Sequence, residues 1–320
     1  MKIFITGGTG NIGQYVSIAA AEAGHNVVVL SRDPGKFDDL EKLLKSKNPN
    51  STMVEAKLLD FDLLAEFVRD CDAVIHIALG WGNEPISMCL EDTVPTVHLL
   101  ENAERAGVKK FIYTSSTAAM GHSRYNMDES TVCLPINLYG ATKSASEAYV
   151  LGFTEYCAEH GTDGDRVAMK RNIIRPGYTF SNPPYPGGSS QLDRRFRDIT
   201  DAVVKDHPIQ LIKHDGTQFL SSEQIAKVYM ALLESDCNEE IFLALSANFT
   251  SWERIAQIAL EEYPESQSTI ELYDKGWGSD PMLYGVGKIK EKFGLEFTGE
   301  DEIRKHIRWN LEESFKKDTK

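Results

Sequence analysis

Tyr139 and Lys143 stand four residues apart in the segment YGATK, at a predicted helix start. Positions i and i+4 share one face of a helix, so the phenol and the ammonium group point the same way. A tyrosine with its ordinary pKa near ~10 is a poor base at neutral pH, but adjacent positive charge favours the phenolate. Tyr139 is therefore a candidate general acid/base. Ser116, just after a predicted strand in TSSTAAMG, could hold a substrate oxygen beside the phenol.

Each of these side chains also has an ordinary structural explanation. Alone, Tyr139 would be a half-buried aromatic residue, Lys143 a solvated helix charge and Ser116 a turn residue. Together with a glycine-rich turn at the start of the chain, the three favour the catalytic interpretation.

The opening segment MKIFITGGTGNIG predicts a strand, a glycine-rich turn and the start of a helix. Gly7, Gly10 and Gly13 have the spacing GxxGxxG, slightly different from the usual GxGxxG fingerprint. The physical requirements are the same: a tight turn, a backbone that can approach a pyrophosphate, and close packing of helix on strand. The helix N-terminus at Asn11 and Ile12 would offer free N–H groups and a positive dipole to the phosphates. These residues predict a bound nicotinamide dinucleotide.

The end of the second predicted strand should contact the adenosine ribose. A carboxylate there binds the 2′-hydroxyl, whereas an arginine can pair with a 2′-phosphate. This chain has Ser31 where an NAD enzyme most often has its carboxylate, followed by Arg32 and Asp33. We therefore expect NADP or NAD, with a slight preference for NADP. The alternative is that Arg32 simply pairs with Asp33.

The elements that must position these residues alternate between short apolar strands and longer helices. Predicted strands are Ile3–Thr6, Val27–Leu30, Met53–Leu58, Ala73–Ala78, Phe111–Thr114 and Val167–Arg175. Predicted helices lie near residues 11–24, 62–69, 92–106 and 139–160. Near-continuous apolarity in the strands indicates that both faces of the sheet are covered. The sequence thus predicts an α/β fold, a doubly wound Rossmann-type parallel sheet with a smaller C-terminal substrate-binding region.

The second half of the chain is punctuated by one irregular segment and two helix starts. Ser181–Ser190 (SNPPYPGGSS) is either a linker or a substrate loop. Ser221–Gln224 and Thr250–Glu253 both fit the capping-box spacing. We expect an NAD(P)-binding domain over residues 1–180, with 215–250 contributing, and a smaller substrate-binding region over 181–214 and 251–320.

These segments resemble the extended short-chain dehydrogenase/reductases, specifically the NAD-dependent epimerase/dehydratase (nucleotide-sugar epimerase) family. TGGTGNIG resembles the family's phosphate turn, HIALG its HxAA-like segment and IIRPG its sixth strand. The resemblance covers nearly the whole chain and is weakest over 181–210 and after 265. It implies Ser116, Tyr139 and Lys143 as the catalytic set, with Lys143 also binding the nicotinamide ribose. It further implies cofactor contacts from Asp60, Phe61, Ala78, Tyr139 and Pro176.

Departures from the family pattern narrow the chemistry. Family dehydratases place an Asp-Glu pair where this chain has Thr117 and Ala118, so dehydration is disfavoured. Met120 replaces an aromatic residue, and Asp92 stands where an asparagine is expected. No arginine occurs in 215–226, where a family arginine would grip a substrate diphosphate.

Three other arginines could bind a diphosphate instead. Arg194, Arg195 and Arg197 lie close together in the sequence, on one loop or short helix. The alternative is that they are surface residues paired with Asp193 and Asp198.

Composition excludes several classes of protein. The 320 residues contain 34 Lys+Arg against 48 Asp+Glu, a net charge of −14, which argues against binding to nucleic acid or anionic membranes. The five cysteines form no CxxC pair, the N-terminus does not fit a signal peptide, and no apolar run is long enough to span a bilayer. We therefore expect a cytoplasmic protein. The eight histidines are dispersed without a zinc pattern, so no metal site is expected; His122 could reach a substrate.

Three functions follow from these observations. The first is an NAD(P)-dependent oxidoreductase/epimerase that moves a hydride at a secondary alcohol or ketone carbon, with a nucleotide sugar as the candidate substrate. The second is an NADPH-dependent ketone or aldehyde reductase, favoured by Ser31, Arg32 and the missing diphosphate arginine. The third is a non-catalytic dinucleotide-binding redox sensor, which would have no need of Tyr139 and Lys143. The resemblance implies a homodimer formed by the helices near 92–106 and 139–160.

Overall fold

The structure is a computed structural model that describes residues 1–80, 84–160, 168–185 and 193–318. Within these ranges seven strands form one parallel sheet: β1 (Lys2–Thr6), β2 (Asn26–Ser31), β3 (Thr52–Glu55), β4 (Ala73–His76), β5 (Lys110–Thr114), β6 (Lys170–Pro176) and β11 (Glu240–Ala244). Their order across the sheet is β3-β2-β1-β4-β5-β6-β11. The strand order reverses between β1 and β4, and such a switch point opens a crevice at the carboxyl ends of the strands.

Helices cover both faces of this sheet. On one face lie α1 (Asn11–Glu22), α2 (Asp38–Lys47), α8 (Ser222–Glu234) and α10 (Gly287–Phe293). On the other lie α3 (Phe61–Val68), α5 (Val94–Arg105) and α6 (Leu138–His160). Side chains of one strand alternate between the two cores, as Ile3 and Ile5 do against Phe4. The doubly wound α/β fold predicted from the sequence is confirmed.

Several predicted boundaries differ from the observed ones. Helix α2 was not predicted, because its segment DDLEKLLKSK is strongly polar and buries only Leu40 and Leu44. Strands β3 and β4 end before the predicted Leu58 and Ala78. Strand β6 begins at Lys170 and runs through Pro176, and the predicted start at Val167 lies outside the described residues.

A helix of mixed type precedes β5. Helix α4 (Pro85–Met88) continues through a π-helical turn, Cys89–Thr93, directly into α5. Such turns insert one extra residue per turn and recur at functional sites. In the part of the chain that is described, no helix is long and apolar enough to cross a membrane.

A second layer of structure follows β6. It contains α7 (Arg195–Val204), α9 (Trp252–Glu262) and α11 (Glu300–Asp318), with the parallel pair β8 (Ile209–Ile212) and β13 (Ile270–Tyr273). These helices share a third apolar core that includes Phe196, Trp252 and Ile303. Two further short strand pairs are β7 (Thr179–Phe180) with β10 (Leu220–Ser221), which is parallel, and β9 (Gly216–Thr217) with β12 (Thr250–Ser251), which is antiparallel.

The two predicted capping boxes have different outcomes. At α8 the Ser221 side chain accepts from the Gln224 N–H and the reciprocal bond from Gln224 is also present, so this prediction is confirmed. At α9 the capping residue is Ser251, which accepts from the Arg254 N–H, so the prediction of Thr250 was wrong by one residue. Of the predicted irregular segment Ser181–Ser190, residues 186–190 lie outside the described residues.

Candidate active site

The glycine-rich turn joins β1 to α1 at the switch point of the sheet. Gly7 has a positive φ of 69°, and a Cβ there would lie 2.6 Å from the Ala78 backbone nitrogen. A Cβ on Gly13 would lie 1.9 Å from the Gly7 carbonyl oxygen. A larger residue at position 7 would clash with the backbone beyond β4, and one at position 13 would push α1 away from the turn, so both glycines are needed.

Gly10 is the capping residue of α1, and its own N–H donates to the Gly7 carbonyl at 2.9 Å. No side chain caps the helix and no acidic residue lies in its first turn. The first N–H groups of the helix, including those of Asn11 and Ile12, have no intrahelical acceptor. This bare, positively polarised end suits an anionic group, so the turn fits the predicted dinucleotide.

The end of β2 holds Ser31 buried and Arg32 exposed. The Ser31 hydroxyl accepts from the Asp33 N–H at 3.2 Å. The Asp33 carboxylate pairs with Lys36 at 3.0 Å. Among the described residues no carboxylate pairs with Arg32, so the alternative that Arg32 is held by Asp33 was wrong.

The other cofactor residues implied by the resemblance also lie near the carboxyl ends of strands. Asp60 caps its own turn, with its carboxylate accepting from the Lys57 N–H at 2.7 Å. The Phe61 ring stacks on His98 with centroids 3.9 Å apart. The Ala78 N–H donates to the Thr6 hydroxyl at 3.2 Å, and Pro176 is the buried last residue of β6.

Ser116 and Tyr139 come together beyond β5. Ser116 caps a short 3₁₀ turn, Thr117–Met120, by accepting from the Ala118 N–H at 3.1 Å. Gly140 lets α6 approach this turn, because a Cβ there would lie 2.3 Å from the Ala118 carbonyl oxygen. The Ser116 side chain is hydrogen-bonded to the Tyr139 phenol.

The pKa of Tyr139 is raised, mainly by burial, with Asp92 adding to the rise and the hydrogen bond with Ser116 opposing it. The sequence predicts a lowered pKa from the neighbouring cation, so the direction of the shift differs from that prediction. The reason is burial, which disfavours the phenolate and cannot be deduced from the YGATK spacing. The protonated phenol of this structure is suited to donate a proton.

Lys143 lies one turn along α6 and is fully inside the protein. Its Nζ is 3.8 Å from Oδ1 of Asp92 and 5.1 Å from the centre of the Tyr113 ring. Burial lowers the pKa of Lys143, whereas Asp92 and Glu147 raise it. The predicted set Ser116, Tyr139 and Lys143 is thus brought to one place, beside a carboxylate that the sequence analysis had noted only as a departure from the family.

A chain of hydrogen bonds fixes the backbone beside this carboxylate. Thr96 donates its only hydroxyl proton to the Asp92 carbonyl at 2.8 Å, so it must accept from Nε2 of His76, 2.9 Å away. Burial, reinforced by the charge of Lys143, lowers the pKa of His76 to about 3, so the ring is neutral. Its Nδ1 therefore accepts from the Thr6 hydroxyl at 2.6 Å. Thr6 adjoins the glycine turn, so the chain connects that turn to Asp92.

A second buried ion pair anchors the same helix. Arg175 on β6 donates to both carboxylate oxygens of Glu147 on α6, at 2.8 and 2.7 Å. Arg175 also donates to the Cys133 thiol at 3.2 Å. Sequence analysis missed this pair, because the two residues are 28 positions apart and only the fold brings them together.

The three arginines considered for phosphate binding differ in their surroundings. Arg195 pairs with Asp193 and Asp215 and stacks on Trp252, with its guanidinium carbon 4.1 Å from the ring centre, so it is held structurally. Arg194 lies 3.8 Å from Asp198. Arg194 and Arg197 line a cavity of about 120 Å³ that also reaches Asn11.

Two further sequence expectations concern histidines and metals. His122 is exposed, one residue past Gly121. Over the described residues, no group of three His, Cys, Asp or Glu side chains is arranged as a metal site.

A comparison with known families gives one match over most of the chain. The model described as "NAD dependent epimerase/dehydratase family" matches residues 3–243. Among curated proteins, the chain is 27% identical over 222 residues to a 3 beta-hydroxysteroid dehydrogenase/Delta 5→4-isomerase of Mycobacterium tuberculosis, covering 64% of this chain and 52% of that protein. It is 30% identical over 155 residues to a UDP-glucose 4-epimerase of Halalkalibacterium halodurans, covering 46% and 44%. The chain thus spans about half the length of the curated relatives it matches.

A solved structure shares the fold over the full length. The UDP-glucuronic acid 4-epimerase of Bacillus cereus, in complex with UDP-glucuronic acid and NAD, has a TM-score of 0.77, with 99% of each chain covered. The sequence identity is 18%, so this likeness concerns the fold.

Proposed function

The chain belongs to the NAD-dependent epimerase/dehydratase family, and from this premise we propose that it is an NAD(P)-dependent oxidoreductase or epimerase. It acts at a secondary alcohol or ketone carbon of a small molecule, with a nucleotide sugar as the first candidate substrate. One observation carries this proposal. The Tyr139 phenol, hydrogen-bonded to Ser116, lies one helical turn from the buried Lys143, on the edge of the sheet that holds the glycine turn.

In this proposal the chain's own residues manage one proton. Ser116 holds the substrate oxygen beside Tyr139, and Tyr139 gives its proton to that oxygen when a ketone is reduced. Lys143 stabilises the phenolate that remains, because the ammonium group lies on the same helix face. In the reverse direction the phenolate takes the proton back. A bound nicotinamide dinucleotide supplies the hydride acceptor or donor.

The cofactor site is proposed from the backbone and one exposed cation. The N–H groups at Asn11, Ile12 and Gly13 hold the pyrophosphate, with Gly7 and Gly10 permitting close approach. Lys143 contacts the nicotinamide ribose, and Pro176 lies near the nicotinamide. Asp60, Phe61 and Ala78 complete the set of cofactor contacts, and Ser31 lies beside the adenosine ribose. Arg32 is exposed and paired with no described carboxylate, which supports the slight preference for NADP through its 2′-phosphate.

The substrate is proposed to lie between the sheet edge and the second layer. We assign residues 1–180, with 215–250, to the cofactor domain and residues 181–214 and 251–320 to the substrate-binding region. The cavity lined by Arg194, Arg197 and Asn11 could accept an anionic part of a nucleotide sugar. A cytoplasmic homodimer without nucleic-acid or membrane partners completes the proposal.

A second candidate is an NADPH-dependent ketone or aldehyde reductase. It is supported by Arg32 and by the absence of arginine from 215–226 in the sequence. The mycobacterial relative is named as a hydroxysteroid dehydrogenase/isomerase, so the family matches do not point to sugars alone. A redox sensor without turnover is disfavoured, because a sensor needs no proton donor such as Tyr139.

The test starts from the purified protein and the cofactor that it retains. Tightly held NAD with interconversion of sugar-nucleotide epimers supports the epimerase, and exchangeable NADPH with ketone reduction supports the reductase. A panel of sugar nucleotides and simple ketones would be assayed with both reduced cofactors, for the wild type and Tyr139→Phe. Cofactor binding without turnover on any substrate would contradict the enzymatic proposal and favour the sensor.

A further inference from the structure

The Asp92 carboxylate is buried and has an unusual environment for a charged group. Its side chain is 1% exposed, and neither carboxylate oxygen has a hydrogen-bond partner among the described residues. Burying an ionised carboxylate in this way is costly unless a charge nearby compensates it. The compensating charge is Lys143, whose Nζ lies 3.8 Å from Oδ1.

The backbone, not the side chain, aims this carboxylate. Asp92 lies in the π-helical turn Cys89–Thr93, and its carbonyl accepts from the Thr96 hydroxyl. On the other side Gly80 packs against the neighbouring carbonyl of Glu91, where a Cβ would come within 1.8 Å of the oxygen. The turn is thus held from two directions with the carboxylate directed at Lys143.

We propose that Asp92 is a positioning residue for Lys143: the Asp92 carboxylate holds the Lys143 ammonium group in place and keeps it charged. The proposal rests on the function proposed above, in which that charge supports Tyr139. At 3.8 Å the carboxylate attracts the ammonium group without accepting one of its N–H groups. Since no described residue accepts from them, those N–H groups can bind other partners in the site.

The effect on pH dependence has a definite sign. Removing a negative charge beside Lys143 and Tyr139 makes the first loss of a proton from this pair easier, whichever group loses it. The pKa shifts of the two groups agree with this expectation. Asp92 raises the pKa of Lys143 and the pKa of Tyr139, so its removal should lower both. Ketone reduction needs the phenol protonated and the amine charged. When an uncharged residue replaces Asp92, the decline of the rate at alkaline pH should therefore begin at a lower pH than in the wild type.

Other ionisable groups around the pair leave this expectation unchanged. They are His76 on β4, Tyr113 on β5, and Glu147 with its partner Arg175. His76 is neutral, burial raises the pKa of Tyr113 well above its ordinary value, and Glu147 stays paired with Arg175 whether or not Asp92 carries a charge.

The test compares Asp92→Asn with Glu91→Gln, which removes the same charge from the adjacent residue of the same turn. In Asp92→Asn the alkaline limb of the pH profile of kcat/KM for reduction should move to lower pH by about one unit or more. Glu91→Gln should leave the limb in place. An unchanged limb in Asp92→Asn, or a move to higher pH, would overturn the proposal.

A second measurement needs neither substrate nor cofactor. In Asp92→Asn the buried ammonium group loses its counter-charge, so the folded-state pKa of Lys143 falls further below that of the unfolded chain. The loss of stability should be largest at neutral pH and should shrink as pH rises through the lowered folded-state pKa of Lys143, because the amine is then neutral in both folded proteins. The unfolded lysine titrates identically in the two proteins and does not affect the difference. A stability difference that is constant from neutral to alkaline pH indicates a packing role alone and overturns the proposal. If Tyr139→Phe keeps full activity, the proposed function fails, while this unfolding experiment still decides whether Asp92 and Lys143 are coupled.

Discussion

Two buried ion pairs lie one turn apart on α6 and are built differently. Arg175 and Glu147, 3% and 4% exposed, share two hydrogen bonds and leave no oxygen of the carboxylate unused. Lys143 and Asp92 are equally buried, but they are 3.8 Å apart and the carboxylate accepts no hydrogen bond from a described residue. A saturated pair fixes one geometry, whereas an unsaturated pair leaves groups available to a ligand. Burial alone therefore does not separate a structural ion pair from one that can serve a ligand, whereas the hydrogen-bond saturation of the pair does.

The largest expected effect is on chemistry at the unsaturated pair. Tyr139→Phe removes only a hydroxyl, so folding and cofactor binding should be nearly intact while turnover falls about 10²- to 10⁴-fold. Steady-state kinetics with the substrate found in the panel measures this. Full activity of the Phe variant would remove the functional half of the comparison and make His122 the next candidate.

At the saturated pair the expected effect is on stability. Arg175→Met leaves Glu147 buried and uncompensated, and unfolding free energy should fall by about 3–5 kcal/mol. Chemical denaturation measures the loss, and kcat/KM per folded molecule should change far less than in Tyr139→Phe. The double variant Arg175→Met with Glu147→Leu is the control, since it removes both charges and should recover most of the stability. A double variant as unstable as the single one would show that the ion pair is not the cause.

A smaller effect is expected at an exposed cation that keeps its hydrogen-bonding capacity. Arg32→Ala should weaken NADPH binding by about 1.5–3 kcal/mol, the range of charge-assisted hydrogen bonds, and change NADH binding little. Calorimetry with both cofactors measures the two affinities. Equal losses for NADPH and NADH would remove the basis for preferring NADP.

The smallest effect is expected at a surface ion pair that faces water. Lys36 and Asp33 are 3.0 Å apart and largely exposed. Lys36→Ala should change the unfolding free energy by about 1 kcal/mol or less, because solvent screens the pair. Thermal denaturation measures this change. The Lys36→Ala variant also serves as a control for Arg32→Ala, because it too removes a positive charge from this region. A loss of unfolding free energy as large as that expected for Arg175→Met would show that exposure to solvent does not weaken the contribution of this ion pair.

The site residues could be predicted from the sequence where the whole motif lies in one short segment. Tyr139 and Lys143 are on one helical face, and the glycine turn lies between one strand and one helix, so both could be predicted from spacing. Asp92 could not, because its approach to Lys143 depends on the extra residue of a π-helical turn and on the packing of α6. The predicted direction of the Tyr139 pKa shift was wrong for a related reason, since burial is a property of the assembled fold.

Predictions of helix boundaries and side-chain roles were wrong where several local sequence features compete. Thr250 and Ser251 are both good capping residues, and the fold selects Ser251. Helix α2 has two buried leucines among charged residues, too few for its periodicity to be recognised. Arg195 looked like an anion ligand in the sequence, but Asp193 and Asp215, the latter 20 residues away, both pair with it.

The hydrogen-bond chain from Thr6 through His76 and Thr96 to the Asp92 carbonyl runs in one direction. Each middle member donates once and accepts once, so replacing any one by a residue that only donates, such as lysine, leaves a buried neighbour without its partner. In evolutionary terms the side chains of Thr6, His76 and Thr96 form one heritable unit, spread over two strands and a helix. A change at one of these positions is expected to persist in descendants only when a second position changes in a compensating way.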